Sequence, residues 1–186
     1  MPKMQDVIAK VVQLDEEVYQ RLRGIALSRS IPKNEKLIRA GAPVRKVFFL
    51  ESGAVRAFRN VEGNDYTHFF FTERWFVTDF AGFITGEPSS ITIEAATDCQ
   101  CYEFDKKVIE ELNGQYPELE KLWRIVAERA YLFTVKRLEH LQTTSLQERY
   151  QRLVEQHPNL LLTFPQKHIA SYLGVAEQSL SRIKKR

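Results

Sequence analysis

Apolar and polar residues recur along this chain with two different periods, and the changes of period divide it. Before Ser28, the residues Val7, Ile8, Val11, Val12, Leu14, Val18, Leu22 and Ile25 recur at helical spacing between charges. That spacing predicts a helical N-terminal segment, closed off near Pro32. From Ser28 to Phe104 the period shortens to two. "KVFFLESGAVRAFRN" reads as two strands joined in a hairpin at Glu51-Ser52-Gly53, and "NVEGNDYTHFFF" as a second hairpin turning at Gly63-Asn64. "SSITIEAATDCQCYEF" adds two more strands, broken near Asp98. Short antiparallel strands at this spacing predict a sandwich or a jelly-roll barrel. Aromatic residues, Phe69, Phe70, Phe71, Trp75 and Phe76 among them, cluster in this stretch; most suit a core, and a few are available to line a cavity.

After Phe104 the helical period returns. Asp105 is placed to cap a short helix that stops near Gly114. Pro117 opens the next helix at its first turn, and nothing breaks that helix before about His140. Trp123, Val126, Ala127, Ala130, Thr134, Leu138 and Leu141 fall in one stripe along it, while Leu122, Ile125, Leu132, Phe133 and Val135 put apolar residues on other faces. A helix apolar on more than one side must be covered on more than one side. The barrel supplies one cover, and a second copy of the helix is the expected other, which makes the stripe a dimer interface. Ser145 and Glu148 have the spacing of a capping box at the head of a further helix, closed by Pro158. "NLLLTFP" then reads as a short strand, a wing.

The C-terminal run "QKHIASYLGVAEQSLSRIKKR" holds five basic residues and one acid. Its quieter positions carry more information. Ile169, Ala170, Leu173, Gly174, Val175, Leu180 and Ile183 match a helix-turn-helix pattern. Ala170 is small where two helices cross, and Gly174 stands where a left-handed residue ends the first helix. The second helix of such a motif enters the major groove. Glu177, Gln178, Ser179, Ser181 and Arg182 then face base edges, where Gln suits adenine, Arg guanine and Glu cytosine. Lys167, His168, Lys184, Lys185 and Arg186 are placed for phosphates.

Charge supports this division. Residues 136–186 carry nine Lys/Arg against four Asp/Glu, net +5, whereas the rest of the chain carries 18 basic and 20 acidic side chains, net −2. A basic end on a slightly acidic body points to a polyanionic partner. No run of 18 apolar residues occurs, so no membrane helix is expected, and the charged N-terminus lacks the apolar core of an export signal. Cys99 and Cys101 are two apart, too close for a relaxed disulfide and too few for an all-cysteine metal cluster. They read as reduced thiols in the cytoplasm. Residues 28–104 contain one histidine, His68, so a barrel enzyme with a multi-histidine metal centre is not expected, and no metal or cofactor is assigned.

An N-terminal helix, the run "LIRAGAPVRKVFFLESGAVRAF", a long central helix and the terminal "FPQKHIASYLGVAEQSLSRIKKR" together resemble the Crp/Fnr family of bacterial transcription regulators. Leu37, Gly41, Phe49, Leu50 and Gly53 fit its β-roll signature, and Arg182 falls on its recognition-helix arginine. The resemblance implies an α+β chain: an antiparallel β-roll (a jelly-roll barrel) with flanking helices over 1–116, a dimerisation helix over 117–142, and a winged helix-turn-helix over 143–186. It implies a homodimer on palindromic double-stranded DNA, RNA polymerase as a further partner, and a small effector held in the β-roll. Cyclic-nucleotide binders of this family carry a Gly-Glu pair for the ribose and an Arg-Ser pair for the phosphate. Here Thr78-Asp79 and Ser89-Ser90 stand at those pairs, while Gly86-Glu87 falls in the turn between them. With no arginine for the cyclic phosphate, tight cyclic-AMP binding is not expected, and Thr78, Asp79, Ser89, Ser90 and Thr134 are expected to line a pocket for another effector. The residues also admit a β-roll sensor that works through protein contacts, its basic end a docking surface rather than a DNA reader.

Overall fold

The computed structural model describes residues 4–184; Lys185 and Arg186, two of the phosphate-contact candidates, lie outside them. In chain order the elements are α1 (Met4–Ala9), α2 (Glu16–Gly24), β1 (Leu27–Ile31), β2 (Lys36–Ile38), β3 (Lys46–Ser52), β4 (Val55–Val61), β5 (Asn64–Phe71), β6 (Phe76–Val77), α3 (Phe80–Thr85), β7 (Thr92–Ala95) and β8 (Cys99–Asp105). Then follow α4 (Lys106–Asn113), α5 (Pro117–Thr143), α6 (Leu146–Gln156), α7 (Leu160–Thr163), α8 (Gln166–Tyr172) and α9 (Glu177–Lys184).

The strands form two antiparallel sheets, ordered β1-β8-β3-β6 and β2-β7-β4-β5, which face each other as a jelly roll. Strand alternation explains how both faces of the first sheet are used. On β3, Phe48 and Leu50 point between the sheets with Val55, Ala57, Ile93 and Cys101, while Val47 and Phe49 point outward. The outward set, with Phe104 of β8, is covered by α1, α2, α4 and α5 through Ile8, Leu22, Ile109, Leu119 and Leu122. Burial pushes the Cys101 thiol up to about 12 and raises that of Cys99, so both stay protonated.

Four sequence expectations change. The N-terminal segment is two short helices rather than one. The β-branched pair Val11-Val12 follows α1 in a turn, and the second helix starts afresh after Asp15. β3 and β4 are not a hairpin: β3 pairs with β6 and β8, β4 with β5 and β7. Gly53 carries the chain from one sheet to the other at φ +93°, packed against the turn before β8. The β4–β5 hairpin does form, but Val61 pairs with Asn64, so Glu62 and Gly63 make the turn, both at positive φ. The expected wing is absent: no strand follows β8 among the described residues, and Leu160–Thr163 is a helical turn. The helical turn closes its own hydrogen bonds and brings Leu160 into one core with Leu153 and Phe164.

The helix-turn-helix docks on the edge strand β5. Ser171 Oγ accepts from the Thr67 amide at 2.8 Å and donates to the Asp65 carbonyl at 3.0 Å, so one hydroxyl takes the place of a neighbouring strand. Arg137 of α5 donates to the carbonyls of Tyr172 (2.7 Å) and Thr67 (3.4 Å) and lies over the Tyr172 ring. Phe70 stacks against Phe164 and Tyr172 with centroids 4.2 and 5.1 Å away. Beside this joint, buried Arg56 bonds Asp65 at 2.7 Å and covers the Phe58 ring. Burial alone would raise the Asp65 carboxyl, but bonds from Asn60 and Arg56 outweigh it and hold it below the usual range.

His168 faces the same joint. Burial, then the charges of Arg56 and Lys167, push its pKa down to about 4. It is therefore neutral near pH 7, which does not suit the phosphate-binding role expected from its position in the sequence. The unfolded chain, with an ordinary histidine near pH 6.5, binds the proton more readily. Stability therefore falls as pH drops from about 6.5 to about 4. His168→Gln should flatten that fall, measured as the urea midpoint against pH. Burial also depresses His68, so some slope will remain. Gly53→Ala should cost about 2–4 kcal/mol in the same assay at pH 7, because its Cβ would sit 2.5 Å from the Asp98 carbonyl oxygen at a positive φ.

Candidate effector cavity and nucleic-acid interface

A cavity of about 600 Å3 lies between the second sheet, α3 and α5. Two local devices shape it. A bulge in β5 pairs Ala57 with Phe69 and Phe58 with Thr67, which leaves His68 between them unpaired. The bulge lets consecutive residues His68 and Phe69 both line the cavity, with Phe71 two residues on. The second device is α3. Asp79 caps it by accepting from the amides of Ala81 and Gly82, and Gly86 ends it at φ +79°, its amide bonded to the Gly82 carbonyl. Gly82 cannot be larger, since a Cβ there would lie 2.6 Å from the Val44 side chain.

Of the expected pocket residues, Thr78, Asp79, Ser90 and Thr134 line this cavity. Ser89 does not; it is buried behind the wall, where its hydroxyl donates to Asp79 Oδ2 at 2.8 Å. Two of the residues expected to hold an effector are here bonded to each other. The Asp79 carboxylate already holds the N-terminus of α3, and a phosphate there would meet a buried negative charge. The hydroxyls of Thr78 and Thr134 are spent on the carbonyls of Lys46 and Ala130. Sequence reasoning did not assign Arg74, Trp75, Arg129 or Phe133 to the pocket, and the fold brings them to the same cavity. Their one legible signal was the cluster of aromatics.

The stripe expected at a dimer interface is divided by the fold. Trp123 packs on Phe76 and Phe104, with centroids 5.2 and 5.9 Å away, and Val126 joins the same core. Val126, Ala127, Ala130 and Thr134 border the cavity, and Leu141 lies under the turn at Gly174. Leu138 is exposed, as are Tyr131, Leu132 and Val135, and Tyr131, Val135 and Leu138 follow one another at helical spacing.

The C-terminal motif is built as its spacing predicts. Ser145 and Glu148 form the capping box of α6. Gly174 adopts φ +73°, the Val175 amide bonds the Ala170 carbonyl at 3.0 Å, and Ile169, Ala170, Leu173 and Leu180 are buried together. On α9, Glu177, Gln178, Arg182 and Lys184 are exposed, as is Lys167 on α8. Ser179 and Ser181 are half-buried, and Ser181 accepts a hydrogen bond from the Gln166 amide group. Among the described residues, no three His, Cys, Asp or Glu side chains converge on a metal position, and no helix is long and apolar enough to cross a membrane.

This geometry can be set beside known proteins. Residues 28–116 match the family model of the cyclic nucleotide-binding domain. Over 182 residues the chain is 23% identical to the fumarate and nitrate reduction regulatory protein of Vibrio cholerae serotype O1, covering 91% of this chain and 72% of the relative. FixK2 from Bradyrhizobium japonicum superposes with a TM-score of 0.74 at 20% identity, covering 87% of this chain and 83% of its own. The c-di-GMP-responsive global regulator CLP of Xanthomonas campestris superposes with a TM-score of 0.72 at 16% identity, covering 92% and 90%. Residues 28–116 therefore carry a cyclic nucleotide-binding domain, and with its long helix and C-terminal helices the chain shares the fold of these regulators.

Proposed function

We propose that the protein is a sequence-specific DNA-binding transcription regulator of the cytoplasm. In this reading it acts as a homodimer on a palindromic site and is controlled by a small effector other than cyclic AMP. One observation carries the reading. The turn at Gly174 sets α9 so that Leu180 is buried while Glu177, Gln178, Arg182 and Lys184 are exposed together. A scaffold needs no such row, whereas a helix that reads base edges does. Its neighbours by fold include CLP, described as responsive to c-di-GMP, which supports small-ligand control in this architecture.

Dimerisation rests on α5. Tyr131 is 68% exposed, Leu138 54% and Val135 42%, an apolar strip that a second copy of the same helix would cover. Val135→Glu with Leu138→Glu should leave a folded monomer by sedimentation. The argument against cyclic AMP rests on the buried Asp79–Ser89 pair, and calorimetric titration should give no micromolar binding.

Selection from a random DNA pool should enrich a palindrome. On that site Arg182→Ala should cost about 1–3 kcal/mol and relax one base pair of each half. Lys167→Ala should weaken all sequences alike and reduce the salt slope by about one. Failure to enrich any site would sink the reading.

A further inference from the structure

Four aromatic rings form a closed circuit on the cavity wall. Phe69 lies 5.7 Å from Phe71, Phe71 lies 6.1 Å from Trp75, Trp75 lies 6.1 Å from Phe133, and Phe133 returns to Phe69 at 5.7 Å. β5, the turn after it and α5 each contribute, so the circuit exists only in the folded chain. It is not sealed, for Trp75 is 40% exposed. Two arginines, Arg74 and Arg129, line the same cavity. Arg129 donates to the Lys10 carbonyl at 3.1 Å, and neither arginine has a carboxylate partner among the described residues. Arg74 is also held at φ +72°, a conformation that costs a side-chain-bearing residue free energy.

We propose that this cavity binds a planar aromatic carboxylate, its ring against the Phe69–Phe71–Trp75–Phe133 circuit and its carboxylate on Arg74 and Arg129. The proposal rests on the reading of this cavity as the effector site. Each competing class meets an obstacle on the wall. An organic cation would suit the ring faces but would sit beside two unpaired cations. A neutral hydrocarbon would make no use of the two guanidinium groups, which are exposed and have no carboxylate partner among the described residues. A nucleotide needs acceptors and donors for its sugar, yet the hydroxyls of Thr78 and Thr134 are committed to backbone carbonyls and both Asp79 oxygens are taken. An arene gains offset or edge contacts with the rings, and a carboxylate fits the planar fork of an arginine. The volume lies within the range of small-ligand sites.

The test uses the full chain and three probes: 2-naphthoate, its neutral amide, and cyclic AMP. Tryptophan emission and calorimetry report binding. Naphthoate should bind and change the Trp75 emission, about tenfold or more tighter than the amide. Arg74→Gln should weaken naphthoate about tenfold and leave the amide unchanged. Arg129→Gln should do the same, with circular dichroism checking that loss of its Lys10 contact has not disturbed the fold. Trp75→Phe keeps a ring in the wall, so it should abolish the emission change while calorimetric binding persists. Equal affinity for acid and amide would overturn the carboxylate assignment. An emission change that survives Trp75→Phe would place the ligand elsewhere, and no naphthoate binding at millimolar concentration, or tighter binding of cyclic AMP, would overturn the proposal. The DNA selection is read separately. An enriched palindrome without naphthoate binding removes this inference alone, and naphthoate binding without any enriched site removes the regulator reading alone.

Discussion

The structure depends on how one edge strand is closed. β5 lies at the end of its sheet, and its outer amides and carbonyls have no strand to bond. The Ser171 hydroxyl satisfies the Thr67 amide and uses the Asp65 carbonyl, and Arg137 takes the Thr67 carbonyl. Seating the helix-turn-helix takes this edge out of water, and these bonds avoid the cost of about 1–3 kcal/mol that a buried amide without a partner carries. The apolar contact runs the same way. Phe70 joins the core formed by Leu160, Phe164 and Leu173, so part of the core of the C-terminal unit comes from the roll.

Strand alternation then makes β5 a shared wall. Phe69 and Phe71 line the cavity, while Phe70 between them meets Phe164 and Tyr172. The bulge at His68 puts an extra residue into the cavity side without moving Thr67 from its bond with Ser171. Anything that shifts the backbone at 67–71 is felt at both ends of the same few residues. α5 is a second such element: Phe133 belongs to the ring circuit, and one turn later Arg137 holds the Tyr172 carbonyl. The two elements connect the cavity to the position of α8, against which α9 packs.

Charge follows this division of labour. Around the joint, Arg56 and Asp65 pair, and His168 is kept neutral by burial and by neighbouring cations. On α8 and α9 the basic groups Lys167, Arg182 and Lys184 are exposed. In the cavity the acid is bound to its own helix, and Arg74 and Arg129 have no carboxylate partner among the described residues. The positive excess read from the last third of the sequence therefore divides among half-buried structural arginines such as Arg137, exposed groups on α5 and α6 such as Lys136 and Arg152, and an exposed set on α8 and α9.

The sequence by itself determined the features whose hydrogen bonds close within a few residues. The Asp105 cap, the Ser145–Glu148 box, the Gly174 turn, the start of α5 at Pro117 and the change of period at Phe104 all depend on neighbours in the chain. Tertiary structure decided the rest. "KVFFLESGAVRAFRN" has the local pattern of a hairpin, yet each strand gains more by pairing with β7 or β8, which come much later in the chain. "NLLLTFP" has the composition of a strand, but it coils into a helical turn that puts Leu160 and Phe164 into the core of the C-terminal unit. α5 is apolar on several sides, and only the placement of the roll determines that Leu122 is buried while Tyr131 and Leu138 stay exposed. The ring circuit and the unpaired arginines come from β5, the turn after it and α5, segments separated by the last strands of the roll. Such a site is a sum of contacts between distant segments, and no single stretch of sequence contains it.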